Sequence, residues 1–447
     1  MEIKIATVGG FNEVGKNMTA VKVGNEVIII DMGLFLPKLI NFEEEGGERE
    51  HLSVQDMINM GAIPDDSTIK DWAPQVKAIV LGHCHLDHIG AAPYLANKYD
   101  CPIIGTPFTL DVLRKSVEDD GLKLKNQLKQ LLPGSSLKIS DNIEIKFVNI
   151  THSTIQTVMV AIKTPKGIIL YANDFKFDNH PVLGKKPDYE YLKKIGDTKQ
   201  VLALVVESLY AAEERKTPSE KVARELLKDV LLGVDNKDHA IIITTFASHL
   251  SRLRSIIDFA KSINRKVVFF GRSMAKYTYA AEAIKFLNFS KEVEIYPYVR
   301  QIKKKLQQIE KEGKGRYIIV CTGNQGEPRS VLVKMANGEI PFSFMPWDNV
   351  IFSCRTIPVD INIANRAALE KKLKEKHVRI FTEIHVSGHA GREDLRDLIN
   401  MVKPKHIFPA HAGLELQSSL AELAVELDYV LGKSVHTSHN GQIFDVI

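Results

Sequence analysis

Cysteine is scarce in this 447-residue sequence. Cys84, Cys101, Cys321 and Cys354 are widely spaced and form no CxxC pair. That excludes a disulfide framework and fits a reducing compartment. Long apolar runs are missing too. None approaches the roughly 20 residues that cross a bilayer. The N-terminus, Met1-Glu2-Ile3-Lys4-Ile5-Ala6-Thr7-Val8, alternates like a strand and does not read as a signal peptide. The expectation is a cytoplasmic protein with no membrane partner. An excess of one charge is also lacking. A formal net charge of +4 does not argue for nucleic acid by itself. There is no internal repeat and no low-complexity segment. What is present is ordinary globular composition, 44% hydrophobic, in a chain too long for one core, so two domains are expected.

One stretch is not ordinary. His83-Cys84-His85-Leu86-Asp87-His88 packs three imidazoles and a carboxylate into six residues. The apolar strand Val76-Lys77-Ala78-Ile79-Val80-Leu81 leads into it, so the cluster stands at a strand's carboxyl end, where α/β sheets place ligands. Residues two apart on an extended segment project to one side, so His83 and His85 can reach one metal ion. Asp87 and His88 can curl toward a second. Imidazole nitrogen with a carboxylate suits zinc, and manganese or iron less well. Scattered surface histidines are the plain alternative, which four ligand-type residues at this spacing disfavour.

Other strand ends carry similar residues. Val27-Ile28-Ile29-Ile30 ends in Asp31, suited to holding a metal-bound histidine by its free N–H, or to an ordinary turn. Ile143–Val148 leads to His152, and Ile168-Ile169-Leu170-Tyr171 runs into Asn173-Asp174. His83, His85 and His152 would hold one ion. Asp87, His88 and a later histidine would hold the other, with Asp174 bridging. Residues 35–72 look like an insertion whose acidic run Glu43–Glu50 reads as solvated loop, and His51 there reads as surface. Residues 108–131 suit helices, with Lys123, Lys125 and Lys129 on a solvated face.

From about 208 the pattern changes to alternating strand and helix, which predicts a parallel sheet of its own. Its strands include Ala240–Thr245, Lys266–Phe270 and Tyr317–Cys321. The turns after them hold Ser248, Gly271-Arg272-Ser273 and Thr322-Gly323, residues suited to phosphate at helix N-termini but common in any turn. The lysines of Gln301-Ile302-Lys303-Lys304-Lys305 read as a solvated face. Metal-type chemistry then returns at His385-Val386-Ser387-Gly388-His389 and at His411, after the strand-like His406–Ala410. Ligands at both ends of the chain imply an inserted domain between them.

Together, His83-x-His85-x-Asp87-His88, His152, Asp174, His411 and the strand-end Asp31 resemble the metallo-β-lactamase fold. Glu207, His389 and His411 resemble the extra motifs of the β-CASP nucleases. Gly9-Gly10-Phe11-Asn12-Glu13-Val14-Gly15-Lys16-Asn17, Gly271-Arg272-Ser273-Met274, Thr322-Gly323-Asn324-Gln325-Gly326-Glu327-Pro328 and Ser387-Gly388-His389-Ala390 are similar to the ribonuclease J family, in its shorter archaeal form without a C-terminal domain. The resemblance implies an α/β protein. A metallo-β-lactamase αββα sandwich over 1–207 and 385–447 would carry a mainly parallel β-CASP domain over 208–384. It implies two Zn2+ per chain, with Mn2+ or Mg2+ as substitutes, held by His83, His85, Asp87, His88, His152, Asp174 and His411. Asp31 would support a ligand, and Asp87, His389 and Glu207 would serve catalysis. The implied activity is a two-metal 5′→3′ exoribonuclease on single-stranded RNA, in a homodimer. Its terminal monophosphate would sit against Gly271, Arg272, Ser273, His385, Ser387 and Ser248. A structural ion pair is the alternative for Arg272.

Rival readings keep the fold and change the chemistry. A flavin-dependent di-iron oxidoreductase would have Glu in place of His85 and would need a flavin domain. A thioesterase-type small-molecule hydrolase fits poorly with an inserted domain that walls the site into a channel. A non-catalytic RNA-binding subunit would have lost ligands, and all seven are here. An endoribonuclease of the same fold is the nearest alternative.

Overall fold

A computed structural model describes residues 1–48, 51–357 and 359–447. The chain divides into two compact units. The first comprises residues 1–179, 185–217 and 388–447; the second comprises 180–184 and 218–387. The chain thus leaves the first unit at 217/218, ten residues past the boundary read from the sequence, and returns at 387/388 rather than 384/385. Hydrogen bonding explains the first difference. The Thr217 N–H donates to Asp394 Oδ2 at 2.7 Å and its hydroxyl to the His389 carbonyl at 2.7 Å, which ties residues 208–217 to the first unit.

The first unit is built on two sheets. In spatial order one holds Gln442–Asp445, Ile3–Gly9, Met18–Val23, Glu26–Ile30, Val76–Leu81, Ile103–Gly105 and Leu128–Gln130. The other holds His406–Ala410, Val201–Glu207, Gly167–Ala172, Val158–Thr164, Glu144–Asn149 and Ser136–Lys138. Both are mixed, parallel at one end and antiparallel at the other. Their facing sides share a core that includes Ile5, Ile28, Val80, Phe147, Tyr171 and Val205. On the far side of the second sheet, Leu170, Leu204, Val206 and Ile407 pack on Leu192, Leu395, Leu398 and Leu420 of three helices. A strand buried on both faces has no polar side to alternate with, which is why Val201–Val206 reads as a continuous apolar run.

The second unit holds six strands in the order Glu294–Tyr296, Lys266–Phe270, Tyr317–Cys321, Ile241–Thr244, Asn349–Phe352 and Arg379–Phe381, every neighbouring pair parallel. Val268, Phe270, Ile319 and Val350 pack on Ile302, Leu306 and Leu369 of flanking helices. The alternation of strand and helix expected from 208 onward is therefore a parallel α/β sheet, and the fold class is α/β with mainly parallel sheets.

Two local expectations need correction. The acidic run is not simply loop. Its start lies in the helix Leu36–Glu44, while Arg49 and Glu50 fall outside the described residues. A second helix, Val54–Asn59, follows, begun by a reciprocal cap in which the Ser53 and Asp56 side chains each accept the other's backbone N–H. Residues 108–131 are helical only through Pro107–Asp119. Beyond it, Lys123, Lys125 and Lys129 are exposed while Leu122, Leu124 and Leu128 are half-buried. That period of two belongs to extended chain, and it ends in the edge strand Leu128–Gln130. Among the described residues, no helix is long and apolar enough to cross a membrane.

Candidate metal centre

Strand order brings the ligand-type residues together. In the second sheet Gly167–Ala172, Val201–Glu207 and His406–Ala410 are parallel neighbours, with Ala172 opposite Val206 and Glu207 opposite Ala410. Their carboxyl ends therefore deliver Asp174, Glu207 and His411 side by side. In the first sheet the parallel neighbours Glu26–Ile30 and Val76–Leu81 end in Asp31 and in Gly82-His83. Asp31, Asp174 and His411 each turn out of their strand with a left-handed backbone, φ +60°, +58° and +56°. Such conformations are uncommon outside glycine, cluster at functional sites and are held by surrounding contacts.

The side chains form three overlapping donor groups that share the Asp174 carboxylate, the smallest of them Asp174, Glu207 and His389. His83, His85, His152 and Asp174 each offer a ligand atom within 4.8 Å of the others, and so do Asp87, His88, Asp174 and His411. In the first group His85 Nδ1 lies 3.0 Å from His83 Nε2 and 3.2 Å from His152 Nε2, and Asp174 Oδ2 is 3.5 Å from His83 Nε2. In the second, His88 Nε2 is 3.1 Å from Asp174 Oδ2 and 3.5 Å from Asp87 Oδ2. His411 Nε2 is 3.7 Å from Asp174 Oδ1. The side chains of His83, His88, His152, Asp174 and His411 are at most 1% exposed, whereas Asp87 is 30% exposed and marks the open edge.

The first donor group has the protonation a cation needs; in the second, burial is outweighed by Asp174, Asp87 and Asp31, which hold His88 well above the usual imidazole value, so a cation there displaces its Nε2 proton. Burial pushes His83 and His152 well below the usual imidazole value and His85 to about 4, leaving neutral rings. Burial works against the Asp174 charge, but His411 and His88 outweigh it and keep the carboxylate ionised. Asp174 Oδ1 is buried without a hydrogen-bond partner among the described residues. Neutral nitrogens converging on an ionised, partly unsatisfied carboxylate suit a divalent metal ion.

Outer contacts orient the rings. His88 Nδ1 donates to Asp31 Oδ2 at 2.7 Å, and Asp31 Oδ1 accepts the Gly82 N–H at 2.8 Å, so Asp31 does more than close a turn. His152 Nδ1 donates to the Gly388 carbonyl at 2.7 Å. A side chain at 388 would meet His152 Nδ1 and the Ser153 nitrogen at 2.8 Å, so this approach requires glycine. His389 Nδ1 donates to Glu207 Oε2 at 2.6 Å. Glu207 Oε1 accepts the Phe175 N–H at 2.8 Å and the Ala390 N–H at 3.2 Å. Burial disfavours a charged His389, but Glu207 and Asp174 prevail and raise it to about 9. Its side chain is 20% exposed, beside the cluster.

The residues expected to hold a terminal phosphate belong to the second unit. Gly271, φ +121°, precedes the helix Arg272–Ala283 at the carboxyl end of Lys266–Phe270. Arg272 and Ser273 are exposed, and within their unit the Arg272 guanidinium makes no ion pair among the described residues. Ser248 follows Ile241–Thr244 at the same edge and is buried, as is Ser387; His385 is half-buried. Sequence reasoning gave no role to Asn17, Tyr171 and Asn173, which are buried against the site. Their one signal was position, beside a motif or two strand-end ligands.

Comparison with known proteins identifies the family. Residues 12–189 match the family model "Metallo-beta-lactamase superfamily", residues 238–370 match "Ribonuclease J, beta-CASP domain", and residues 372–437 match "Zn-dependent metallo-hydrolase RNA specificity domain". The chain is 43% identical to Ribonuclease J of Methanocaldococcus jannaschii, covering 99% of this chain and 98% of that one. It is 42% identical to Ribonuclease J of Pyrococcus abyssi over 99% and 97%. Ribonuclease J 1 of Streptococcus pyogenes is 30% identical over 99% of this chain and 74% of its own. A solved structure of a protein of unknown function from Enterococcus faecalis has the same fold, with a TM-score of 0.66 at 16% identity over the whole of both chains. Identity above 40% along nearly the full length, with family models on both units, means that the chain belongs to the ribonuclease J family.

Proposed function

We propose that the protein is a metal-dependent ribonuclease that hydrolyses RNA phosphodiesters, working 5′→3′ from a monophosphorylated end and releasing 5′-mononucleotides. The observation that carries the hydrolase reading is the pair of donor groups sharing Asp174, with the His389–Glu207 pair beside them. His83, His85, His152 and Asp174 would hold one Zn2+, and Asp87, His88, Asp174 and His411 a second. Zinc bound there supplies Lewis acidity toward phosphoryl oxygens and a water acidified toward neutral pH.

The chain's own residues supply the rest. Glu207 anchors the Nδ1 side of His389 and favours the charged ring, so His389 acts through Nε2. It donates a hydrogen bond to a phosphoryl oxygen, or a proton to the departing 3′ oxygen. Because Glu207 is itself held by two backbone N–H groups, the ring keeps its direction while substrate changes. The exposed guanidinium of Arg272, the Ser273 hydroxyl and the N–H groups opening a twelve-residue helix supply the donors a terminal phosphate needs. His385, Ser387 and Ser248 complete that reading. A homodimer in a reducing compartment belongs to the same proposal, and light scattering of the purified protein tests it.

The deciding experiment compares RNA bearing 5′ monophosphate, triphosphate or hydroxyl ends, on wild type and on the double variant Arg272→Ala, Ser273→Ala. Mononucleotide products, a monophosphate preference and its loss in the variant are expected. Equal rates on all three ends, or internal fragments as main products, would leave the endonuclease in its place.

A further inference from the structure

The two histidines of the Asp87–His88–Asp174–His411 group are braced from behind by one buried hydrogen-bond network. From it we infer that Asn17 is the positioning residue for His411, as Asp31 is for His88, and that Tyr171 and Asn173 lock the two braces together. The inference rests on the two-metal reading above and adds that this second metal position is tuned separately from the first.

The network can be followed donor by donor. Asp31 Oδ2 accepts from His88 Nδ1 at 2.7 Å and from the Tyr171 hydroxyl at 2.8 Å. The Tyr171 oxygen accepts one N–H of Asn173 at 2.9 Å, and the other N–H of Asn173 reaches Asn17 Oδ1 at 3.1 Å. The Asn17 amide group donates to the Asp87 carbonyl at 3.0 Å. Asn17 Nδ2 also stands 3.2 Å from His88 Nε2. His411 Nδ1 lies within reach of both Asn17 atoms, 3.1 Å from Oδ1 and 2.9 Å from Nδ2. Two neighbours settle the amide's direction. The Asp87 carbonyl can only accept, so it requires the Asn17 NH2, and the Asn173 NH2 can only donate, so it requires Oδ1. In the tautomer that a metal-bound Nε2 requires, His411 Nδ1–H donates to Oδ1, with the Nε2 lone pair toward Asp87 and Asp174.

The brace is rigid. Asn17, Asp31, Tyr171, His88 and His411 are all no more than 2% exposed. The Asn17 backbone is pinned as well, its N–H donating to the Asp87 carbonyl at 3.0 Å and its own carbonyl accepting the Gly33 N–H at 2.9 Å. A Cβ at position 33 would sit 1.7 Å from the Asp87 oxygen and 2.5 Å from the Asn17 nitrogen, so these segments touch only because residue 33 is glycine. In the first group His152 is held by a backbone carbonyl, and His83 Nδ1 has no hydrogen-bond partner among the described residues. A carboxylate behind one imidazole and a carboxamide behind the other also grades the two rings. Asp31 makes His88 the stronger donor, and Asn17 fixes direction without adding charge.

The test is chelator titration of zinc-loaded protein, with metal content read by plasma emission. His411→Ala identifies which equivalent belongs to the second position. In Tyr171→Phe and in Asn17→Ala that equivalent should leave at a chelator concentration lower by about 10-fold or more, the scale on which outer partners of metal-bound imidazoles act. The other equivalent should leave where it does in wild type. A general loosening of the fold would move both together, and that result overturns the inference, as does movement of neither. If Asn17→Ala does not fold, Tyr171→Phe, which removes one oxygen, decides alone. A wild type that holds one equivalent or none would instead refute the two-metal reading.

Discussion

Arg252 is fully buried in the second unit and satisfies five hydrogen bonds there. Nε and Nη2 grip both oxygens of Glu220 at 2.7 and 3.0 Å. Nη1 reaches the Ser353 carbonyl at 2.8 Å, its hydroxyl at 2.6 Å and the Ile384 carbonyl at 3.0 Å. Arg252→Ala strips a buried carboxylate of its bidentate partner and two carbonyls of a charged donor. Removing one member of such a pair costs about 3–5 kcal/mol. His249 Nε2, 3.5 Å from Glu220, stays beside the carboxylate and argues for the lower half of that range. For a unit of this size ~3 kcal/mol lowers the melting temperature by roughly 6–12 °C. Calorimetry of the full chain measures it. Glu220→Met should cost a similar amount by stranding the guanidinium, and Arg252→Met with Glu220→Met should cost clearly less than the sum, because no charge is then left buried. A melting point within 2 °C of wild type for Arg252→Ala, or strictly additive single variants, would refute the reasoning. Because Arg252 holds Ile384, a folded variant at this position should also lose part of the monophosphate preference assigned to His385 and Ser387.

His83→Ala and Asp174→Ala should each lose bound metal and nearly all hydrolysis, measured by metal content and labelled-RNA digestion; either variant with full metal and activity would break the ligand assignment. His389→Ala should keep both metals and RNA binding while turnover falls about 10²–10⁴-fold, the usual range for one positioned acid–base group; loss of a metal would move His389 into the ligand set. Glu292 is held down to about 2, mainly by its hydrogen bonds from Arg254, with Lys261 adding to them. Its folded value lies below the unfolded one, so its stabilisation is present above the ordinary carboxylate value near 4.3 and disappears as pH falls toward 2. Glu292→Gln should therefore be less stable than wild type at pH 7, by ~1 kcal/mol or less because the pair is partly solvated, and equal to it near pH 2; a constant gap across that window in acid-unfolding curves would count against the pairing.

Much of the centre was written locally. His83-x-His85-x-Asp87-His88 after an apolar strand needs no tertiary knowledge, because extended backbone puts alternate residues on one side and the following turn brings the next two round. His152, Asp174 and His411 were legible for the same reason, each standing just beyond a strand. Alternation of strand and helix after residue 208 announced a parallel sheet, since parallel neighbours need a crossover between them. Pattern failed where the period was short or the chain irregular. The helix expected over 108–131 overruns Leu122–Leu128, whose alternation of leucine and lysine has the period of two that belongs to extended chain.

What no periodicity could supply was adjacency. Glu207 meets His389 across 182 positions, and Asn17 meets His411 across 394. Both contacts depend on which strands lie next to one another. Val201–Glu207 sits between Gly167–Ala172 and His406–Ala410, though nearly 200 residues separate it from the latter. A strand's own residues specify that it is buried and which way its side chains point. They do not specify its neighbour, because any apolar strand of similar length satisfies the same ladder of backbone hydrogen bonds. The choice is made by packing of both sheet faces at once, and with it the partners of Asp31, Asn17 and Glu207 were decided.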